Sequence, residues 1–89
     1  MTGLSTNDVG QEIISMIADV TGFDEKEITL ETDLVKDLEV DSIKAIEIVV
    51  AVEKKYKISI RDEDVPSITV PRQIVDLTNK LLTEKEANV

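Results

Sequence analysis

Apolar residues recur at helical spacing near the start of the chain. Val9, Ile13, Met16, Ile17 and Val20 fall three and four positions apart, which puts them on one face of a helix. Ser5-Thr6-Asn7-Asp8 ahead of them offers N-cap side chains and an acidic first turn, and Gly22 stands where a C′ glycine ends a helix. The pattern predicts a first helix from about Asn7 to Thr21. From Gly22 to Asp41 the period lapses, yet Phe23, Ile28, Leu30, Leu34 and Leu38 are spread through the segment. A solvated linker would not carry them, so they predict a long loop lying across the bundle and anchored to it, with room for a short helical turn.

Ser42 to Tyr56 is locally ambiguous, because Ile46-Glu47-Ile48-Val49-Val50-Ala51-Val52 is rich in β-branched residues that also suit a strand. Lys44, Glu47, Ala51 and Lys54 or Lys55 decide the matter: they form a small and polar stripe of helical period that two-residue alternation does not fit. The result is a helix whose other faces are nearly all apolar. Such a helix is central to a bundle or lends apolar surface to something beyond its own core. Ordinary core accounts for most of the pattern at Ile46, Val49 and Val52.

Lys57 to Ser67 reads as a second connector, with one turn at Asp62-Glu63-Asp64-Val65 stopped by Pro66. Thr69-Val70-Pro71 starts the last helix with proline in its first turn, where the missing N–H is harmless. Ile74, Val75, Leu77, Thr78, Leu81 and Leu82 supply its buried side, and Thr83 to Val89 is expected to fray. The fold class is therefore all-α: a small bundle of three main helices plus one short helix, with a long first loop. It is read as one domain over residues 1–89 with a core of about 6–82.

Composition narrows the chemistry. The 89 residues include no cysteine and no histidine, so thiolate nucleophiles, disulfides and the commonest general base and metal ligand are all missing. An enzyme would have to work with Ser, Lys, Asp, Glu and Tyr56 alone, and the chain is read as a non-enzyme. Phe23 and Tyr56 are the only aromatics, which leaves no platform for stacking bases. A net charge of −9 opposes nucleic acid and anionic membrane as partners and favours basic protein surfaces. It also adds self-repulsion, so the melting temperature is expected to rise from low to moderate salt. Nothing resembles a signal peptide or a bilayer span, and the expectation is a cytoplasmic, soluble monomer. The acidic clusters Asp24-Glu25-Lys26-Glu27 and Asp62-Glu63-Asp64 lack the alternating ligands and central glycine of a calcium loop. They read as solvated surface, and no metal site is assigned.

One serine stands out. Ser42 lies where the long loop ends and the most apolar helix begins. Helix N-termini leave N–H groups unpartnered and carry the positive end of the macrodipole. Ser42 is therefore either an N-cap or a hydroxyl displayed to take a group, and a phosphate attached there would be favourably placed. Asp41 could do the capping instead and leave the hydroxyl free.

Asp37-Leu38-Glu39-Val40-Asp41-Ser42-Ile43, followed by Glu47-Ile48-Val49 and Glu53, resembles the signature of acyl carrier proteins and related carrier domains. The similarity extends from the first helix to about Leu82. Asp41-Ser42-Ile43 alone is a common tripeptide; set in this length, charge, helix order and loop length it is specific. The resemblance implies that Ser42 is esterified by 4′-phosphopantetheine from coenzyme A, with Asp41 flanking the attachment point and read by a phosphopantetheinyl transferase. The arm would supply the thiol that the chain lacks and carry acyl groups as thioesters. The partners implied are acyl-transferring and ketosynthase-type enzymes of fatty-acid, specialised-lipid or polyketide synthesis. A peptidyl or aminoacyl carrier, or an unmodified acidic helical adaptor on a basic protein surface, are the alternatives. The initial methionine and the end soon after the last helix suggest a free-standing carrier.

By position in that family, Leu34, Ile46, Val52, Ile60, Val65, Ile68 and Ile74 match residues lining an acyl cavity, where Ile74 is bulkier than usual. Ile43 and Val50 match exposed apolar partner contacts, in a face completed by Lys44, Glu47, Glu53 and Lys54. Two departures stand against the family pattern. Glu39 replaces a glycine usual before the Asp-Ser pair. A left-handed backbone there would cost a non-glycine residue about 1–2 kcal/mol, so an ordinary conformation is expected. Lys44, Lys54, Lys55 and Lys57 occupy positions usually acidic in fatty-acid carriers, which suggests a changed partner set and looks more like polyketide or specialised-lipid assembly.

Overall fold

In a computed structural model, which describes residues 6–87, Thr6–Thr21 forms helix α1, Ser42–Tyr56 helix α2 and Pro71–Ala87 helix α3. Two 3₁₀ segments, Glu25–Glu27 and Asp62–Ser67, lie in the connectors, and no strand occurs among the described residues. The three long helices and the all-α class are those anticipated from the pattern.

Helix α1 turns Val9, Ile13, Ile14, Ile17 and Ala18 inward. It ends at Gly22, whose φ of +84° lets its N–H donate to the Ala18 carbonyl at 2.8 Å. The capping expected from Ser5-Thr6-Asn7-Asp8 lies outside the described side chains. Helix α1 packs on both other long helices, which meet each other far less. The Asp62–Ser67 segment packs against α2.

The first loop is pinned at both levels. Ile28, Leu34, Leu38 and Val40 are buried, with Phe23 and Leu30 packed beside them. Its backbone is tied to the start of α3: Leu34 N–H donates to Thr69 O at 2.9 Å and Arg72 N–H to Leu30 O at 3.0 Å. An Arg72–Glu31 ion pair closes the same junction. Asp24 and Glu27 form a reciprocal capping box over the small 3₁₀ turn.

One expectation needs correction. Pro66 does not stop the turn at Asp62-Glu63-Asp64-Val65; it lies inside the Asp62–Ser67 3₁₀ helix. The proline ring fixes φ near the 3₁₀ value, and a segment this short loses only one N–H to it. Helix α3 runs through Ala87, and the end of the expected frayed tail lies outside the described residues. Thr83 Oγ1 bonds back to Asn79 O at 2.9 Å, and Lys85 Nζ reaches Lys57 O at 3.1 Å. On the buried side of α3, Thr78 is fully enclosed with its hydroxyl unpartnered.

Candidate functional site

Asp41, not Ser42, caps α2. Its extended backbone (φ −92°, ψ −176°) precedes the first turn, and its Oδ1 accepts the Lys44 N–H at 2.8 Å. The Asp41 carbonyl accepts the Ala45 N–H at 2.9 Å. Ser42 is thereby left as the first helical residue, exposed, with no hydrogen bond to its hydroxyl among the described residues. No carbonyl takes the N–H of Ser42 or Ile43 either, so two donors at the positive end of the helix stay open.

A tight turn aims the chain into this position. Asp33 Oδ1 accepts the N–H groups of Val35 at 3.0 Å and Lys36 at 2.8 Å, and Asp37 N–H donates to Asp33 O at 2.9 Å. Val40 N–H then returns to Leu34 O at 2.9 Å. Glu39 takes a left-handed conformation there, with φ +56°, contrary to the ordinary backbone expected of it. The reason is local: Leu38 and Val40 are both buried around an exposed Glu39. Their anchoring overrides the steric penalty, about 1–2 kcal/mol, of a side chain at that φ.

Between α2, the loop, the Asp62–Ser67 segment and α3 lies a cavity of about 610 Å³ that Ser42 itself borders. Of the expected acyl-cavity residues, Leu34, Ile46, Val65, Ile68 and Ile74 line it. Val52 and Ile60 do not. Both belong to the closed core, Val52 fully buried and about a third of a turn round α2 from Ile46. A larger hollow, about 880 Å³, sits near Asp19, Gly22, Asp24 and Lys26 and contains no residue of this site. Its size is that of an open, polar surface depression, so the smaller apolar cavity is the one relevant to Ser42.

The outer face of α2 is apolar. Ile43 is 67% exposed and Val50 38%, as expected, but Ile46 is also 53% exposed and stands at the cavity rim rather than in the core. Val35, 59% exposed and bordering the same cavity, was missed by the sequence pattern. The adjacent Leu34-Val35 pair was the available signal, since neighbours in a turn seldom both point inward. Glu47 and Lys54 are exposed and Lys44 is half-buried. Glu53 is different: its Oε2 accepts the Ile60 N–H at 2.7 Å, which ties the carboxylate to the second connector.

Next to it, Tyr56 donates its hydroxyl to Glu12 on α1, and Lys55 Nζ lies 3.8 Å from the same carboxylate. Burial, reinforced by that hydrogen bond and the adjacent negative charge, pushes the Tyr56 phenol well above its usual range. No group of three potential metal ligands occurs among the described residues, nor any helix long and apolar enough to cross a membrane.

Known proteins resemble this chain in sequence. The family model described as "Phosphopantetheine attachment site" matches residues 11–78. The chain is 39% identical to a meromycolate extension acyl carrier protein of Mycobacterium leprae over 81% of its own length and 63% of that protein. It thus spans somewhat under two thirds of that relative. An acyl carrier protein of Rhodococcus erythropolis is 34% identical, covering 82% of this chain and 80% of its own. One from Coprothermobacter proteolyticus is 32% identical over 84% and 92%. An unpartnered serine opening the central helix of a bundle and a match across most of the chain agree: this chain belongs to the acyl carrier protein family, whose prosthetic group is 4′-phosphopantetheine.

Proposed function

We propose that Ser42 is the attachment point of 4′-phosphopantetheine and that the protein presents acyl groups, held as thioesters on that arm, to separate enzymes. The observation that carries this reading is the division of labour at the start of α2. Asp41 satisfies the Lys44 N–H and so frees the Ser42 hydroxyl, which stands exposed beside two open backbone donors. A phosphodiester there gains about 0.3–1 kcal/mol from the helix dipole. The group supplies the thiol for thioester formation, which a chain without cysteine cannot.

Asp41 has a second role in this reading, as a carboxylate beside Ser42 for the modifying transferase to recognise. The apolar cavity bordered by Ser42 favours an acyl cargo over an aminoacyl one. Ile74, nearly fully buried at its wall, limits its depth. Ketosynthase-type enzymes are the partners for the exposed Ile43, Ile46 and Val50. The chain acts as a monomeric carrier and not as a catalyst. Relatives named for meromycolate extension support a cargo that is being lengthened.

Incubation with coenzyme A and a promiscuous phosphopantetheinyl transferase tests the assignment by intact mass. The wild type is expected to gain one phosphopantetheine and Ser42→Ala none. Equal gain by both, or no gain by the wild type under conditions that load a known carrier, removes Ser42 from this role.

A further inference from the structure

The outer face of α2 carries opposite charge at its two ends. At 100° per residue, Ile43, Ile46, Glu47, Val50 and Lys54 fall within an arc of about 100°, and all five are exposed. Around Ser42 the loop contributes the exposed acids Asp37, Glu39 and Asp41. At the other end stand Lys54 and the exposed cap residue Lys57, and Lys85 of α3 lies against Lys57 through the bond from its Nζ to the Lys57 carbonyl.

None of these three lysines forms an ion pair among the described residues, whereas the neighbouring Lys55 is paired with Glu12. Glu53, the nearest acid on α2, is turned inward to the Ile60 amide, and Glu84 beside Lys85 is exposed without pairing to them. On a chain with 19 acidic and 10 basic residues, a group of ammonium ions without an ion-pair partner among the described residues runs against the overall field.

We infer that this face docks a protein surface of two signs: a basic patch beside Ser42, an apolar groove for Ile43, Ile46 and Val50, and an acidic patch about 18 Å further along α2. This rests on the carrier reading of Ser42 and narrows the partners that go with it. Charge complementarity sets the occupant. An anionic membrane would suit the lysines but is repelled by the net charge of −9 and by the acids at the Ser42 end. A second copy, antiparallel, would match the charges. However, three apolar side chains over two turns fall far short of the roughly 800 Å² per partner of a stable interface.

Two probes test it: a fatty-acid ketosynthase with an all-basic docking face, and the same enzyme with the basic residues opposite the far end of α2 replaced by glutamate. Binding of the unmodified protein is measured by titration calorimetry at low salt. The wild type is expected to bind the two-signed enzyme about three- to tenfold more tightly than the all-basic one. Lys54→Glu/Lys57→Glu is expected to reverse that order, and the single exposed Lys54→Gln to reduce it, with thermal melts reporting that each variant folds.

Equal affinities, or a wild-type preference for the all-basic enzyme, overturn the inference. So does a wild-type dimer in sedimentation that dissociates in Lys54→Glu/Lys57→Glu, which would make the occupant a second copy. Loading is followed separately by mass, so a failure at Ser42 would sink the attachment reading while the binding comparison still reads the docking face.

Discussion

The two ends of α2 use the same backbone device for opposite purposes. Each is bordered by a non-glycine residue in the left-handed region, Glu39 before the helix and Lys57 at its C-cap, both with φ +56°. At the N-terminal end the capping is done by Asp41, which leaves the Ser42 hydroxyl and two amides open. At the C-terminal end Glu53 is tied to the Ile60 amide, and Tyr56 and Lys55 to Glu12 of α1. The N-terminal end displays Ser42, while the side of the C-terminal end that meets α1 and the second connector is anchored. Exposure of a polar group carries functional meaning where a neighbour has been recruited to satisfy the backbone in its place.

Removing one polar group at each end separates display from anchorage. Ser42→Ala is expected to abolish loading by the transferase while changing stability by less than about 0.5 kcal/mol, read by intact mass and by urea titration. Glu53→Ala should do the reverse, leaving loading intact and costing about 1–3 kcal/mol, because the Ile60 amide loses its acceptor. Loading lost in Glu53→Ala with the fold intact would dissolve the distinction.

Asp41 lies on the boundary between the roles. Asp41→Ala is expected to cost about 1 kcal/mol as a lost N-cap and to slow loading as well. Asp41→Asn keeps a capping oxygen, so it should restore stability but not the loading rate, if the charge is what the transferase reads. Smaller effects come from the shared backbone device. Glu39→Gly and Lys57→Gly should each stabilise by about 0.5–1 kcal/mol in denaturant titrations, the steric relief being partly offset by glycine's greater chain entropy. A gain at only one end would show that the two left-handed residues are not under equal strain.

The smallest effect is the pH response of the anchored end. The folded state raises the Tyr56 pKa above that of the unfolded chain, so it holds the phenolic proton more tightly. That contribution is fully present below the unfolded value of about 10 and is lost as pH rises beyond it. Wild-type stability should therefore fall more steeply than that of Tyr56→Phe above about pH 10, measured by thermal melts of the two proteins side by side.

The sequence alone determined the frame of this protein. Gly22 ends α1, Pro71 opens α3, and the apolar run after Ser42 makes the central helix, because caps, proline and 3.6-residue periodicity act within a few residues of themselves. The loop anchors Ile28, Leu34 and Leu38 were legible for a similar reason, since solvated linkers do not retain large apolar residues. Which side of α2 faces outward is set by its packing against the rest of the bundle. Polar residues mark the solvent side of most helices, but here Ile43, Ile46 and Val50 are apolar too, so periodicity could not tell rim from core, nor place Val52 in the core and Ile46 at the cavity. Glu39 and Glu53 were hidden for a related cause. The left-handed turn is imposed by two buried neighbours, and the inward carboxylate is drawn by an amide seven residues away. Those demands arise from packing between segments, which no local window of sequence contains.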